Sequence, residues 1–259
     1  LSRLMPGLDP PALAPLDYLP PPEGLALQYL QVLLPYDTSD EIEKAIMALG
    51  DWFAAPPAAQ PEASMFLTRR MSAEGDTITI GLSVDAARNL EAFAPGAGEL
   101  PDRVETFRGL FLTDIRPAGE QGPQFRVAYD GEDPAGLWPL EVGKAVSGTG
   151  RYLVICPDGF QMASMMLGCR IGMESVSIGG LEYSLTVEAT EAVHVPLGRF
   201  DSFVLRYRER ARVTVGGQEQ TREQETKWWL APELGFWVRR TSLIGDRMAV
   251  MQAVARPAD

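Results

Sequence analysis

The chain has very little histidine and cysteine. Its 259 residues contain one histidine, His194, and two cysteines, Cys156 and Cys169. A single histidine excludes metal sites built from two or three imidazoles. No Gly-x-Ser-x-Gly motif and no cysteine–histidine pair is evident. We therefore expect no catalytic residue, no metal and no cofactor, and interpret the protein as a non-enzyme.

Basic residues and long apolar runs are also scarce. Lys and Arg number 23 against 35 Asp and Glu, which gives a net charge of −12. This charge repels phosphate backbones and argues against a nucleic-acid partner. No apolar run reaches the about 18 residues of a transmembrane helix, because the densest stretch, residues 25–34, is interrupted by Gln28 and Gln31. We expect a chain that does not span a membrane.

The two cysteines are 13 residues apart and flank a segment that resembles a hairpin. Either a disulfide or a pair of buried free thiols fits this spacing. A disulfide would be structural, would contribute about 3 kcal/mol in the chain-entropy model, and would indicate an oxidising compartment.

Proline is concentrated at the start of the chain, where residues 1–61 hold 11 of the 21 prolines. We predict that residues 1–22 form an extended arm that is either laid on the body of the protein or ordered by a partner, since proline removes backbone donors. Helices are predicted at Pro22–Leu34 and Ser39–Ala55 from their apolar spacing. The predicted division is an N-terminal region of residues 1–61 and an antiparallel β domain of residues 62–259.

The segment 203–230 predicts a hairpin whose register follows from its turn. Gly216-Gly217 suits a two-residue turn, because both central positions need positive φ. The predicted cross-strand pairs are Arg210 with Glu223 and Arg208 with Glu225. This face is therefore interpreted as salt-bridged, and Arg206 and Arg212 are the candidates for an anion-binding or partner-binding surface.

Alternating apolar residues predict further strands after Met65. Gly179-Gly180 and Gly245-Asp246 predict two more hairpin turns, the second placing Leu243 opposite Met248. A short helix is predicted at Asp85–Phe93. The expected fold is mainly β (α+β): a curved antiparallel meander sheet or half-barrel with the N-terminal helices packed against it.

Tryptophan supplies the candidate ligand contacts. Trp228 and Trp229 are adjacent on a predicted strand and must point to opposite faces, so one indole lies on the outer or cavity face. Such rings either bind a ligand or pack in the core. The candidate ligand-binding residues are Trp138, Trp228, Trp229, Trp237 and Tyr207.

Three motifs carry a resemblance to known proteins: WPLEVGK at 138–144, VPLGRF at 195–200 and WWLAPELGFW at 228–237. They resemble a group of uncharacterised bacterial cell-envelope proteins, domains of unknown function that form a curved antiparallel sheet or half-barrel. The resemblance covers residues 124–255. It implies a cell-envelope protein and nominates no catalytic residue.

These observations favour a non-enzymatic, periplasmic envelope protein that binds a hydrophobic or lipid-like molecule in a half-barrel concavity. The start at Leu1 fits either a processed secretory precursor or a trimmed chain. The alternative is a scaffolding subunit whose proline-rich arm and 203–230 hairpin bind envelope proteins. A hydrolase is a third alternative, for which the sequence offers no candidate residue.

Overall fold

The computed structural model describes residues 12–35, 64–89, 102–119, 123–130, 134–156, 167–170, 172–215, 218–244 and 247–256. The strands are β1 (Ala26–Pro35), β2 (Ser64–Glu74), β3 (Thr77–Arg88), β4 (Arg103–Arg108), β5 (Phe111–Pro117), β6 (Gln124–Asp130), β7 (Ala145–Ile155), β8 (Ser175–Val195), β9 (Gly198–Val215), β10 (Gln218–Ala231), β11 (Phe236–Ile244) and β12 (Arg247–Ala255). The described residues also form two short 3₁₀ helices, at Pro134–Leu137 and Pro232–Leu234. These described ranges contain no helix long and apolar enough to cross a membrane.

The twelve strands form one closed antiparallel barrel in which each strand pairs with its neighbours in the chain. Closure comes from β1, which pairs with β2 on one side and with β12 on the other. The predicted mainly β antiparallel meander is confirmed. The predicted half-barrel with N-terminal helices is wrong, because β1 occupies the gap that would have left the sheet open.

The helix predicted at Pro22–Leu34 is wrong, since this segment contains β1. Leu27 and Tyr29 are completely buried, and so are Leu30 and Val32 on the opposite side of the strand. A strand buried on both faces has a nearly continuous apolar sequence, which periodicity does not distinguish from a buried helix. The second predicted helix, Ser39–Ala55, lies outside the described residues.

The helix predicted at Asp85–Phe93 is also wrong in its first part. Residues 85–88 continue β3, while 90–93 lie outside the described residues. The Asp85 carboxylate accepts hydrogen bonds from Thr68 Oγ1 on the neighbouring β2 (2.7 Å) and from Gln28 Nε2 on β1, the next strand beyond it (2.9 Å). Those contacts across the sheet favour an extended conformation for Asp85.

The turn predicted at Gly179-Gly180 is wrong, since both glycines lie inside β8, opposite Val213 and Arg212 of β9. A Cβ at Gly179 would overlap the carbonyl oxygen of Arg212. Glycine is needed here because two backbones approach closely, which sequence alone does not distinguish from a turn.

The registers of the other two hairpins are confirmed. Val215 pairs with Gln218, which places Arg210 opposite Glu223 and Arg208 opposite Glu225. The corresponding ion pairs measure 3.5 Å and 2.8 Å. Leu243 lies opposite Met248 as predicted. The four turn residues, at 216–217 and 245–246, lie outside the described residues.

Residues 12–22, which we call the arm, pack against one end of the barrel. Leu16 forms an antiparallel bridge with Leu140, and the ring of Tyr18 makes an edge contact with Trp138 at 5.2 Å. Gly235 lies so close to the backbone of Leu19 and Pro20 that a Cβ would be 2.8 Å from both. The prediction of an extended arm laid on the body therefore holds for residues 12–22.

The disulfide between Cys156 and Cys169 is present. Both sulfurs are buried with Val154 in a small apolar cluster. The bond links the end of β7 to the segment that precedes β8. The alternative of two free thiols is thereby excluded.

Candidate functional site

The barrel interior contains a cavity of about 170 Å³. It lies near the end of the barrel opposite the arm, between six adjacent strands, β11, β12 and β1 to β4. The lining residues are Gln31, Met65, Leu67, Arg69, Leu82, Val84, Arg103, Arg240, Ser242, Ala249 and Met251. Apolar side chains and three arginines therefore face the same space.

One carboxylate, Glu105, serves two of these arginines. Glu105 Oε2 lies 3.4 Å from Arg69 Nη1, and Glu105 Oε1 lies 2.8 Å from Arg103 Nη2. Burial alone would raise the pKa of Glu105, but the charges of Arg69, Arg103 and Arg240 outweigh it and lower that pKa. Glu105 is therefore an ionised counter-charge inside the barrel.

Arg240 is the third arginine of the cavity. Its Nε donates to Ser242 Oγ at 3.1 Å, and within the described ranges Arg240 forms no ion pair. Burial, together with the nearby charge of Arg69 and against the effect of Glu105, lowers the pKa of Arg240 to about 10. Among the described residues, three guanidinium groups thus face one carboxylate, which gives this part of the cavity a net positive charge.

Arg69 separates the cavity from an aromatic layer. The residue is 2% exposed, and its guanidinium lies over the ring of Trp237 at 4.7 Å. Tyr29 packs against Trp237 with ring centroids 4.6 Å apart and donates its hydroxyl to Trp237 O at 2.8 Å. Arg69 Nε has no hydrogen-bond partner among the described residues. A buried guanidinium that lines a cavity thus keeps one donor unused.

A chain of polar side chains leads away from the cavity along β10. Ser242 Oγ lies 3.0 Å from Thr226 Oγ1, which accepts from Gln224 Nε2 at 3.0 Å. Gln224 Oε1 in turn accepts from Arg222 Nη2 at 2.9 Å. The barrel interior on this side is therefore polar and hydrogen-bonded from Arg240 to Arg222.

A second interior cluster is centred on Glu209 of β9. Its carboxylate accepts from Tyr152 Oη at 2.6 Å and from Tyr207 Oη at 2.7 Å. Burial raises the pKa of both tyrosines, and the charge of Glu209 adds to the effect. The two phenols therefore remain protonated donors, and each has a partner, so this cluster is satisfied internally.

Comparison with known proteins finds likeness in structure only. No family model and no curated protein matches the chain. The chain is similar to the hypothetical lipoprotein YmcC from Escherichia coli, with 10% identity, 96% of this chain and 92% of that chain covered, and a TM-score of 0.39.

Two further structures are similar to a comparable degree. A predicted exported protein with a YmcC-like fold from Bacteroides fragilis is 11% identical, covering 94% of this chain and all 100% of that chain, with a TM-score of 0.42. A predicted lipoprotein from Parabacteroides distasonis is 8% identical, with 95% and 100% coverage and a TM-score of 0.37. These neighbours are bacterial proteins named as exported or as lipoproteins, and likeness at this level transfers no function.

Three of the predicted ligand-binding residues lie around the barrel interior. Trp228 pairs directly with Arg240 across the strands and therefore points to the same face. Its ring stacks on Tyr207 at 5.6 Å. Trp237 contacts Arg69 rather than the cavity itself. The structure thus groups these aromatic residues beside the cavity without making any of them a lining residue.

The other two predicted residues lie elsewhere. Trp229 points away from Trp228, is 2% exposed, and donates from Nε1 to Glu191 at 2.9 Å. The guanidinium of Arg239 lies over its ring at 5.4 Å. Trp138 packs against Tyr18 of the arm. Both indoles pack against other parts of this chain.

The predicted anion or partner surface is divided. Arg206 is half-buried and forms an ion pair with Glu188, with a longer contact of 3.8 Å to Glu225. Arg212 is exposed opposite Thr221. The two arginines are therefore in different environments on the outer face of the hairpin.

Sequence reasoning missed the charged residues of the cavity. Arg69 follows Met65 and Leu67 at alternate positions of β2, so it occupies an apolar register. Glu105 pairs with the fully buried Ile80. A charged residue in the inward register of a strand is the signal that could have identified both.

Metal binding has no support in the described residues. Within them, no group of three His, Cys, Asp or Glu side chains is placed to hold a metal ion. The lone histidine, His194, contributes its carbonyl oxygen to Arg239 Nη2 at 2.6 Å.

Proposed function

We propose that this chain is a non-enzymatic, periplasmic protein of the bacterial cell envelope that holds a small hydrophobic or lipid-like ligand inside its barrel. The observation that carries the proposal is the interior cavity of about 170 Å³. Its walls include Met65, Leu67 and Leu82, which offer an apolar surface to a ligand. Apolar walls with a few convergent polar groups are typical of small-molecule sites.

The volume limits the size of the ligand. Pockets that enclose a drug-sized molecule usually have about 300–1,000 Å³, so this cavity accommodates a smaller molecule or one part of a larger one. Tyr29 and Trp237 pack closely between the cavity and the end of the barrel that carries the arm. A ligand would therefore enter the cavity from the opposite end.

The disulfide supports an exported location. Cys156 and Cys169 are bonded to each other, and such bonds persist in oxidising compartments such as the periplasm.

Native mass spectrometry of the protein purified from its own organism, followed by organic extraction, tests the proposal. We expect a stoichiometric small molecule on the wild-type protein. Ala249→Phe places a ring in the cavity and should abolish the bound mass, because Ala249 lines the wall. Ala145→Phe adds the same ring at an exposed position and should retain it. Wild-type protein that is always empty would contradict the proposal.

A scaffolding role is the second candidate, and one observation favours it. β10 pairs with β11 from Glu225 onward, so residues 218–224 have no partner strand on that side within the described ranges. An exposed strand edge can pair with another chain. Removing residues 213–220 should abolish co-purification of a protein partner if this edge binds one, and should leave cavity occupancy unchanged.

A further inference from the structure

The charge of the cavity is opposite to that of the whole chain. The protein carries −12, whereas Arg69, Arg103 and Arg240 face the cavity with Glu105 as their carboxylate partner. Uncompensated charge inside a barrel is costly to maintain. A positively charged interior in an acidic protein therefore requires an explanation beyond packing.

We propose that the cavity recognises an acidic group, so that the ligand is a small amphipathic anion with a carboxylate or phosphate head and a short apolar part. This inference rests on the proposed function, since it names the class of ligand held in the same cavity. The head lies between Arg240 and Arg69, and the apolar part lies against the aliphatic side chains of the wall.

Two arginines provide the hydrogen-bond donors for the acidic head group of the ligand. Arg240 donates from Nε to the neutral Ser242 and keeps its remaining guanidinium donors free of any carboxylate in the described part of the chain. Arg69 is 2% exposed, and its Nε donor has no partner among the residues that the structure describes. Guanidinium groups match carboxylate and phosphate oxygens in geometry, and such charge-assisted bonds are among the strongest in proteins.

Arg103 is already occupied and serves a different purpose. Both its Nε and its Nη2 contact Glu105 Oε1, at 2.9 Å and 2.8 Å, and its side chain is 44% exposed. Glu105 therefore neutralises Arg103 most closely, while its contact with Arg69 is longer at 3.4 Å. This arrangement leaves Arg69 and Arg240 as the pair that an added anion would neutralise.

The remaining side chains of the cavity wall determine the size and character of the apolar part of the ligand. Aliphatic and thioether side chains from three strands line the same space: Met65, Leu67, Leu82, Val84 and Met251. Together with the volume of about 170 Å³, they suit an aliphatic chain of a few carbons. A bare inorganic anion would leave this surface unused.

Titration calorimetry with three six-carbon probes tests the inference on the wild-type protein. Hexanoate and hexyl phosphate carry the acidic head, while 1-hexanol has the same chain without charge. We expect the two anions to bind at least about tenfold more tightly than the alcohol, as expected for charge-assisted hydrogen bonds in a buried site. Equal binding of all three would overturn the anion inference and leave the ligand-binding function standing.

Two matched arginine substitutions locate the binding site. Arg240→Gln should weaken hexanoate binding at least about tenfold, whereas Arg240→Lys should retain most of it. Arg70→Gln is the control: Arg70 follows Arg69 in β2, is exposed, and its loss changes the net charge equally. An equal effect of Arg240→Gln and Arg70→Gln would overturn the assignment, because it would indicate long-range charge rather than a site.

The same chemistry could come from a free acid or from a lipid head group. Co-sedimentation with phosphatidylglycerol vesicles that depends on Arg240 would assign the head to a lipid. Binding of hexanoate without co-sedimentation would assign a free acid. No binding of any probe, together with an empty protein in the extraction experiment, would instead overturn the proposed ligand-binding function itself.

Discussion

The residue with most influence on the cavity is Glu105, because Arg69 and Arg103 both depend on it. Glu105→Gln removes the charge but keeps the shape, and leaves Arg69 buried without an ionic partner. Breaking a buried ion pair from one side is strongly destabilising, so we expect the free energy of unfolding to fall by about 3 kcal/mol. Urea denaturation followed by tryptophan fluorescence measures this change.

The exposed pair Arg108–Asp76 provides the control for that substitution. Its side chains are 53% and 50% exposed, although the contact is short at 2.7 Å. Exposed ion pairs contribute little, so Asp76→Asn should leave the urea midpoint almost unchanged. Similar losses in both variants would show that burial of Glu105 is not the cause.

The pH dependence of stability gives a second prediction for Glu105. Its folded pKa lies below the ordinary value of 4.5, so its ionisation stabilises the fold fully above pH 4.5 and loses that effect as the pH falls through the folded pKa. The stability difference between wild type and Glu105→Gln should therefore shrink as the pH is lowered from 6 to 3. Urea midpoints measured across this range would contradict the argument if the difference stayed constant or grew.

At the scale of the element, secondary structure could be predicted where a segment carried several independent sequence signals. The register of β9 and β10 followed from a glycine pair and from opposite charges that agreed with it. β1 carried a single signal, its apolar content, and burial of both faces removed the alternation that would have identified a strand. The cavity was not predictable in the same way, because Arg69 and Arg240 meet only once the barrel closes.

Gly179 of β8 supports a specific prediction about strand packing. A Cβ at this position would overlap Arg212 O and lie 2.7 Å from Val213 Cα, whereas a Cβ at Gly180 would meet its nearest atom at 3.7 Å. Backbone atoms cannot rotate away as a side chain can. We expect Gly179→Ala to lower the free energy of unfolding by about 1–3 kcal/mol, measured by urea denaturation.

Gly180→Ala is the control, since it replaces the adjacent glycine of the same strand with alanine. The added methyl group would make only ordinary van der Waals contacts, so the free energy of unfolding should change little or increase slightly. If the two variants were equally destabilised, the cause would be the loss of glycine in general and not the close approach of β8 and β9.

At the scale of the whole molecule, the barrel has two unlike ends. The arm packs against one end through Leu16 and Tyr18, while the cavity lies toward the other. Closure by β1 and β12 completes the walls of that cavity, since Gln31 and Met251 come from these two strands. A half-barrel would lack one wall, so the cavity exists only because the chain returns to its first strand.

The disulfide is predicted to stabilise this assembly without shaping the cavity. Cys156 and Cys169 close a loop of 13 residues, and a loop of this length is expected to contribute about 3 kcal/mol to the free energy of unfolding. The double variant Cys156→Ser/Cys169→Ser should therefore unfold at lower urea concentration. Neither cysteine lines the cavity, so the folded variant should bind hexanoate with the wild-type affinity. An unchanged urea midpoint would contradict the predicted stabilisation. A loss of hexanoate affinity in the folded variant would show instead that the bond shapes the cavity, which its position at the end of β7 does not explain.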